Sequence, residues 1–202
     1  MFYETKDHHG LPHDPFKSCL VPRPIGWIST LNRDGVVNLA PYSFFNGVSS
    51  NPQMVMFSSG GPREVNPKDT ITNCEETGEF VVNLATWDLR EQMNRTSAML
   101  PPDADEMALA GLEAEPSVLI KPPRVKASPI HLECLYHQTV DLPTHDPALR
   151  TGVVFGRVIG IHISDDVLTD GMVDLTKFKP IARLGYMDYT RVDLVFTMNR
   201  PD

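Results

Sequence analysis

Apolar side chains come in short runs along this chain, each stopped by a cluster of Gly, Pro, Asn or Asp. "LVPRPIGWISTL", residues 20–31, has a proline-pinned entry followed by a β-rich run. "NRDG" at 32–35 is a tight turn in which Gly35 is free to take positive φ, and "VVNLA" is the return strand of a hairpin. "QMVMFSS" predicts a third strand, apolar on both faces until its serines, and "EFVVNLA" a fourth. Between those two, "GGPREVNPKDT" is a loop. "KDTITNCEETG" is a short helix, capped by Asp69 or Thr70 and stopped by Gly78. "TWDLREQMNRTSAML" and "DADEMALAGL" follow a helical pattern and are separated by Pro101 and Pro102. Strands resume in "IHLECLYHQTVDL" and "GVVFGRVIGIHIS", and "VDLVFTM" predicts a last one. The pattern is mainly β with inserted helices. It predicts one domain over residues 1–202, a closed β-barrel with helical excursions, because closure removes the edges that short strands leave exposed.

One connection is longer than the pattern requires. A hairpin needs two to five linking residues, yet "NLAPYSFFNGVSSNP" fills positions 38–52. It sets Ser43, Asn46, Ser49 and Ser50 beside Tyr42, Phe44 and Phe45. Hydroxyls, amides and backbone N–H groups bond a polar, flat ligand, and rings beside them cover its face. The "KDT" triplet at 68–70 adds a cation, a hydroxyl and a helix N-terminus, a combination suited to phosphate. Ser58 and Ser59 stand just before that loop as further donors. Together these features point to a phosphorylated aromatic cofactor. Capping, turn and solvated-surface roles account for Thr70, Ser58 and Lys68 equally well, so the residues alone leave both readings open.

Composition narrows the classes. Eighteen prolines in 202 residues exceed the usual roughly 5% and favour turns and edge segments over long helices. Hydrophobic residues at 41% and charged residues at 22% are ordinary for a soluble globular chain. No apolar run approaches the roughly 18 residues of a membrane span, and "MFYETKDHHGLPHD" lacks the character of a secretory signal. A net charge of −8 argues against nucleic acid as a partner, though not against a local basic pocket. Cys19, Cys74 and Cys134 are odd in number and widely spaced, which predicts reduced thiols and a cytoplasmic setting. His8, His9 and His13 lie close together, but no further spaced ligand completes a metal site. His131 and His137 flank "LECLY", and their interval places them on one face of a regular strand.

The blocks "PRPIGWISTLNRDGVVNLAPYSFFNGVSSNP", "MVMFSS", "PKDTITNCEETGEFVVNLA" and "RLGYMDY" resemble the flavin reductase-like proteins that carry the FMN-binding split barrel. The resemblance runs from about Gly10 to Pro201. It implies a six-stranded Greek-key split β-barrel, an obligate homodimer, and FMN bound near the subunit interface. It further implies that Ser29 and Thr30 lie beside the flavin, with the backbone of Ala40, Pro41, Tyr42, Ser43 and Phe44. Asn46 would contact the ribityl chain or the ring edge, and Ser58, Lys68 and Thr70 would hold the phosphate. Arg183, with Gly185 and Tyr189, would approach from the C-terminal segment.

The implied activity is an oxidoreductase in which FMN takes a hydride from NADH or NADPH and passes electrons to free flavin or another acceptor, with a monooxygenase as a possible partner. No general acid or base is assigned, because hydride transfer through a flavin needs positioning of two rings rather than proton transfer by a side chain. No GxGxxG is present, so the nicotinamide would bind without a Rossmann unit. The competing reading is a non-enzymatic FMN-binding carrier or sensor. The motifs match the pyridoxamine phosphate oxidases poorly.

Overall fold

The computed structural model describes residues 1–62, 69–98, 100–101 and 104–201. Seven antiparallel strands form the main sheet: β1 (Gly26–Leu31), β2 (Val37–Tyr42), β3 (Phe45–Ser50), β4 (Gln53–Pro62), β5 (Glu79–Leu84), β6 (Ile130–Leu142) and β7 (Leu149–Ile163). Their order across the sheet is β2-β1-β5-β6-β7-β4-β3. The two edge strands, β2 and β3, are thus consecutive in sequence and separated only by Ser43 and Phe44. So short a link forces the sheet to curl until its edges approach. Gly26 of β1 permits that closure, since a Cβ there would lie 2.5 Å from the Phe45 ring on β3. The edges meet without pairing: the N–H of Leu39 on β2 donates to the Glu106 carboxylate at 3.1 Å, and no ladder joins β2 to β3. This is a split barrel.

Seven strands stand where the resemblance implied six, because positions 38–52 do not form one loop. β2 continues to Tyr42, and residues 45–50 pair with β4 as a strand of their own. The "NRDG" turn forms as expected, with Gly35 at φ 83° and Asn32 Oδ1 accepting from the N–H groups of Asp34 and Val36. Helix α1 (Asp69–Thr77) ends at Gly78, which adopts φ 76° and returns its N–H to Cys74 O. The helical pattern after Trp87 condenses to α2 (Arg90–Arg95) and α3 (Glu106–Leu109). Residues 192–198, expected as a last strand, form none. The expected shared face of His131 and His137 is also lost. Phe155 pairs with Gln138 and Gly156 with Tyr136, so His137 is the extra residue of a β-bulge, and facing reverses across it.

Alternation along the strands builds two cores. Inside the barrel, Ile28, Val55, Phe57, Phe80, Val82 and Val154 pack with Ile71 and Cys74 of α1, which plugs one end. Gly156 leaves room for the Phe80 ring, whose Cζ would sit 2.2 Å from a Cβ at that position. Outside, Trp27 and Leu39 pack under the excursion between β5 and β6 with Leu89, Met93, Met107 and Val125. The Trp27 indole N–H donates to Thr96 Oγ1 at 2.9 Å, so its one polar atom is satisfied in full burial. A small three-stranded sheet, of Arg23–Pro24, Ile181–Arg183 and Tyr189–Arg191, stands at the barrel entrance.

Candidate functional site

The residues singled out from the sequence converge on the split, but from both sides of the sheet. Thr30 and Tyr42 point into the barrel, where they meet the first turn of α1. Tyr42 OH donates to Thr70 Oγ1 at 2.8 Å, and Asn38 Nδ2 donates to the same oxygen at 2.7 Å. Thr30 Oγ1 accepts from Asn38 Nδ2 at 3.2 Å and from Asn73 Nδ2 at 2.9 Å. These five side chains are buried, and their network ties α1 to β1 and β2. Thr70 accepts twice, which fills both hydroxyl lone pairs and leaves its own proton to donate elsewhere. Ser29, one residue from Thr30, faces the opposite way. Its hydroxyl donates to Pro123 O at 2.6 Å and accepts from Asn83 Nδ2 at 3.1 Å, under the outer excursion. Side chains 29 and 30 therefore do not share a site.

On the outer side lie Phe44, Asn46 and Ser58. The Ser58 N–H donates to Phe44 O at 2.8 Å, so the strand that ends in serines and the aromatic link are in direct contact. Asn46 stands opposite Met56 on β4. Ala40 and Pro41 are half-buried near the end of β2, and Ser43 follows them in the link. Arg183 sits on the small sheet, paired across from Arg23. Lys68, the expected phosphate ligand, lies outside the described residues.

Ser59 supplies the test of whether a polar group fits here. It faces inward beside Phe57, its hydroxyl is buried, and it has no hydrogen-bond partner among the described residues. Across the ladder from it is Gly152, where an added Cβ would come within 3.3 Å of Ile71 Cδ1. The orphaned hydroxyl thus stands across the ladder from a position that Ile71, in the first turn of α1, closely approaches. A buried hydroxyl without a partner costs about 1–3 kcal/mol, and an anionic oxygen at this point would relieve that cost. The donor set fits a phosphate.

Arg23 escaped the sequence reading. It is 8% exposed and donates to Lys17 O, Leu20 O and Leu184 O, tying three separate stretches of chain together. Its Nε reaches Ser43 Oγ at 3.5 Å, and its guanidinium lies 5.8 Å from the Phe44 ring centroid. Burial, then the neighbouring charge of Arg183, lower its proton affinity. An arginine fenced by two prolines at a strand entry was the available signal. The buried amides of Asn38, Asn73 and Asn83 were a second, as polar residues inside runs that pack a core.

No helix among the described residues is long and apolar enough to cross a membrane. Nor do they contain a group of three or more His, Cys, Asp or Glu side chains able to hold a metal. The three cysteines are unpaired, and burial raises the thiols of Cys74 and Cys134 well above their ordinary range.

Comparison with known proteins places this geometry. The model of the flavin reductase like domain matches residues 18–185. An uncharacterized protein of Aquifex aeolicus is 38% identical over 173 residues, 85% of each chain. The fold superposes on nitrilotriacetate monooxygenase component B from Bacillus cereus with a TM-score of 0.88, at 30% identity over 98% of both chains. It superposes on the 2-nitrobenzoate 2-nitroreductase of Pseudomonas fluorescens with a TM-score of 0.81, at 26% identity over 92% of this chain and 88% of that one. The split barrel, its polar seam and these matches agree: the chain belongs to the flavin reductase-like family.

Proposed function

We propose that this protein is an FMN-dependent oxidoreductase that takes a hydride from NADH or NADPH and delivers electrons to a further acceptor. One observation carries the reading. Residues 40–46 meet Ser58 and the first turn of α1 through the Ser58–Phe44 and Tyr42–Thr70 bonds, and Ser59 has a buried hydroxyl that lacks a partner among the described residues. Thr70 and Ser59, with Lys68, would hold the phosphate; Ser58, which the resemblance implied as a phosphate ligand, points to the outer face of β4, away from Ser59. The backbone of Ala40 to Phe44 would border the ring system, and Asn46 the ring edge or ribityl chain. When bound, the flavin supplies hydride acceptance and onward electron transfer. The chain's contribution is to hold it, cover one face and leave the other open.

The protein acts as a homodimer in this reading, with the second copy seated on the outer face of β4, β6 and β7, where Met56, Val153 and Val140 are incompletely covered. The three unpaired thiols support a cytoplasmic setting. A monooxygenase is a candidate acceptor system, given the similarity to a monooxygenase component B.

The test is optical. Purified protein titrated with FMN should bind it, and anaerobic NADH or NADPH should bleach the flavin absorbance within seconds. A complex that stays yellow identifies a carrier or sensor instead, and failure to bind FMN removes the flavin reading altogether. Lys68→Ala should weaken FMN by roughly 1.5–3 kcal/mol through loss of a charged hydrogen bond.

A further inference from the structure

A cavity of about 370 Å³ lies between α2 and the small three-stranded sheet. Trp87, Arg90, Met93, Asn94, Arg183 and Tyr189 form much of its wall. Its flat surfaces are of two kinds. In the wall, Arg90 places its guanidinium group 4.1 Å from the Trp87 ring centroid and Arg183 lies 4.4 Å from that of Tyr189; Arg191, which does not line the cavity, lies 4.8 Å from the Trp87 centroid. Stacked guanidinium and aromatic planes make a slot suited to another flat ring.

Charge says what that ring should carry. Arg90 has Glu91 at 3.5 Å, and Arg191 is paired with Asp193. Arg183 has no carboxylate within ion-pair distance among the described residues; its NH2 group donates to Tyr186 O and touches Met187 Sδ. Arg23, its partner across the small sheet, likewise holds backbone carbonyls and no carboxylate. Two adjacent guanidinium groups without a counter-ion stand in a chain of net charge −8. Like charges so placed repel, and burial already disfavours the ionised form of Arg23. An anion delivered to the Arg183 side of the cavity relieves both effects and gains a forked hydrogen bond.

We propose that this cavity is a binding site for a planar aromatic anion, with Arg183 as the anion's anchor and Trp87 and Tyr189 as the ring's walls. The ring anion can be an aromatic carboxylate or the adenosine phosphate portion of a nucleotide.

Trp87 reports occupancy directly. It is 38% exposed, whereas Trp27 is fully buried, so a ligand in the cavity changes the emission of one tryptophan. Protein should be titrated separately with benzoate and with adenosine 2′-monophosphate, using benzyl alcohol and acetate as controls for ring and charge alone. Saturation by benzoate identifies a carboxylate site, and saturation by the nucleotide identifies a nucleotide site. Either outcome supports the proposal if the controls bind at least about tenfold more weakly, the loss expected for one charged hydrogen bond. Calorimetry on Trp87→Phe should retain binding of the ring anion while the emission change disappears. Arg183→Gln should weaken it by about tenfold or more. Arg90→Gln, on the helix surface, should weaken it by a smaller factor and serves if the Arg183 variant does not fold. No saturation by either ring anion, equal binding of benzyl alcohol, or unchanged affinity in the arginine variants overturns the proposal.

Discussion

The barrel has two outer faces built from one sheet, and they have opposite fates. On β1, β2 and β5, the outward residues Trp27, Leu39 and Val81 are fully buried, the first two beneath the chain's own excursion between β5 and β6. On β4, β7 and β6, the outward residues form a row of Met56, Phe155 and Gln138 and another of Ser58, Val153 and Val140, and these are half-buried or exposed. Val140 and Leu142 remain 41% and 40% exposed. The alternation of side chains is equally regular on both sides. The difference lies in the lid: one face is finished by 40-odd residues of the same chain, and the other has no such excursion over it among the described residues. A monomer that exposes a broad apolar sheet face is normally one that associates. In the homodimer reading, Asn46 and Ser58 would then stand at the rim of the second subunit.

Removing the covered face's anchor should be the most damaging change. Trp27→Ala deletes a fully buried ring and leaves Thr96 Oγ1 without its donor. It should cost about 3–5 kcal/mol in urea unfolding. A loss below about 1 kcal/mol would mean that the excursion does not act as a lid.

The same face should set the protein's response to acid. His131 gives Val125 O a hydrogen bond from Nε2 at 2.9 Å, while its Nδ1 is buried without a partner among the described residues. Burial brings its pKa down to about 4 from 6.5, against the effect of that bond and with help from Arg124 and His162. Between those values the unfolded chain binds more protons than the folded one, so stability falls as pH is lowered from 6.5 towards 4. The full loss is about 3 kcal/mol. His131→Gln should flatten this slope whatever it does to stability at pH 7; an unchanged slope assigns the effect elsewhere.

Glu133 adds a step at lower pH. Burial alone would raise its carboxyl, but bonds from the Val118 N–H, His162 and the Leu119 N–H outweigh burial and hold it below the usual 4.5. A depressed carboxyl stabilises the fold above its unfolded value, and that contribution disappears as pH falls through the folded value. Glu133→Gln should therefore lose roughly 1–3 kcal/mol at neutral pH and show a shallower decline below pH 4.5.

Much of this was legible before any coordinates, for identifiable reasons. "NRDG" and the Gly78 stop were readable because positive φ demands particular residues. β6 and β7 were readable because their apolar runs are long. The division of 38–52 into two strand segments was not, because Ser, Asn and Gly in "FNGVSS" suppress the apolar signal on an outer face and pairing with β4 overrides propensity. Ser29 and Thr30 were read as one unit, although period-two alternation sends them to opposite faces. The His137 bulge leaves no mark in composition. Arg23 matters through carbonyls contributed by residues 17, 20 and 184, a convergence that only the fold creates.

The smallest effect on the folded subunit should come from the uncovered face, and it is the most informative of the set. Met56 is half-buried and lies directly across from Phe155. In an isolated subunit, Met56→Lys keeps the aliphatic stem on the sheet and sends the ammonium into water, at a cost of only about 0.5–1 kcal/mol. Against a second copy, the same charge would be buried twice in a symmetric apolar contact without a partner, a cost of several kcal/mol. Sedimentation velocity at micromolar concentration should therefore show wild-type protein as a dimer and the variant as a folded monomer, with an unfolding midpoint that no longer varies with concentration. If the variant sediments with the wild type as a dimer, the second copy sits elsewhere, and the open face needs a different occupant.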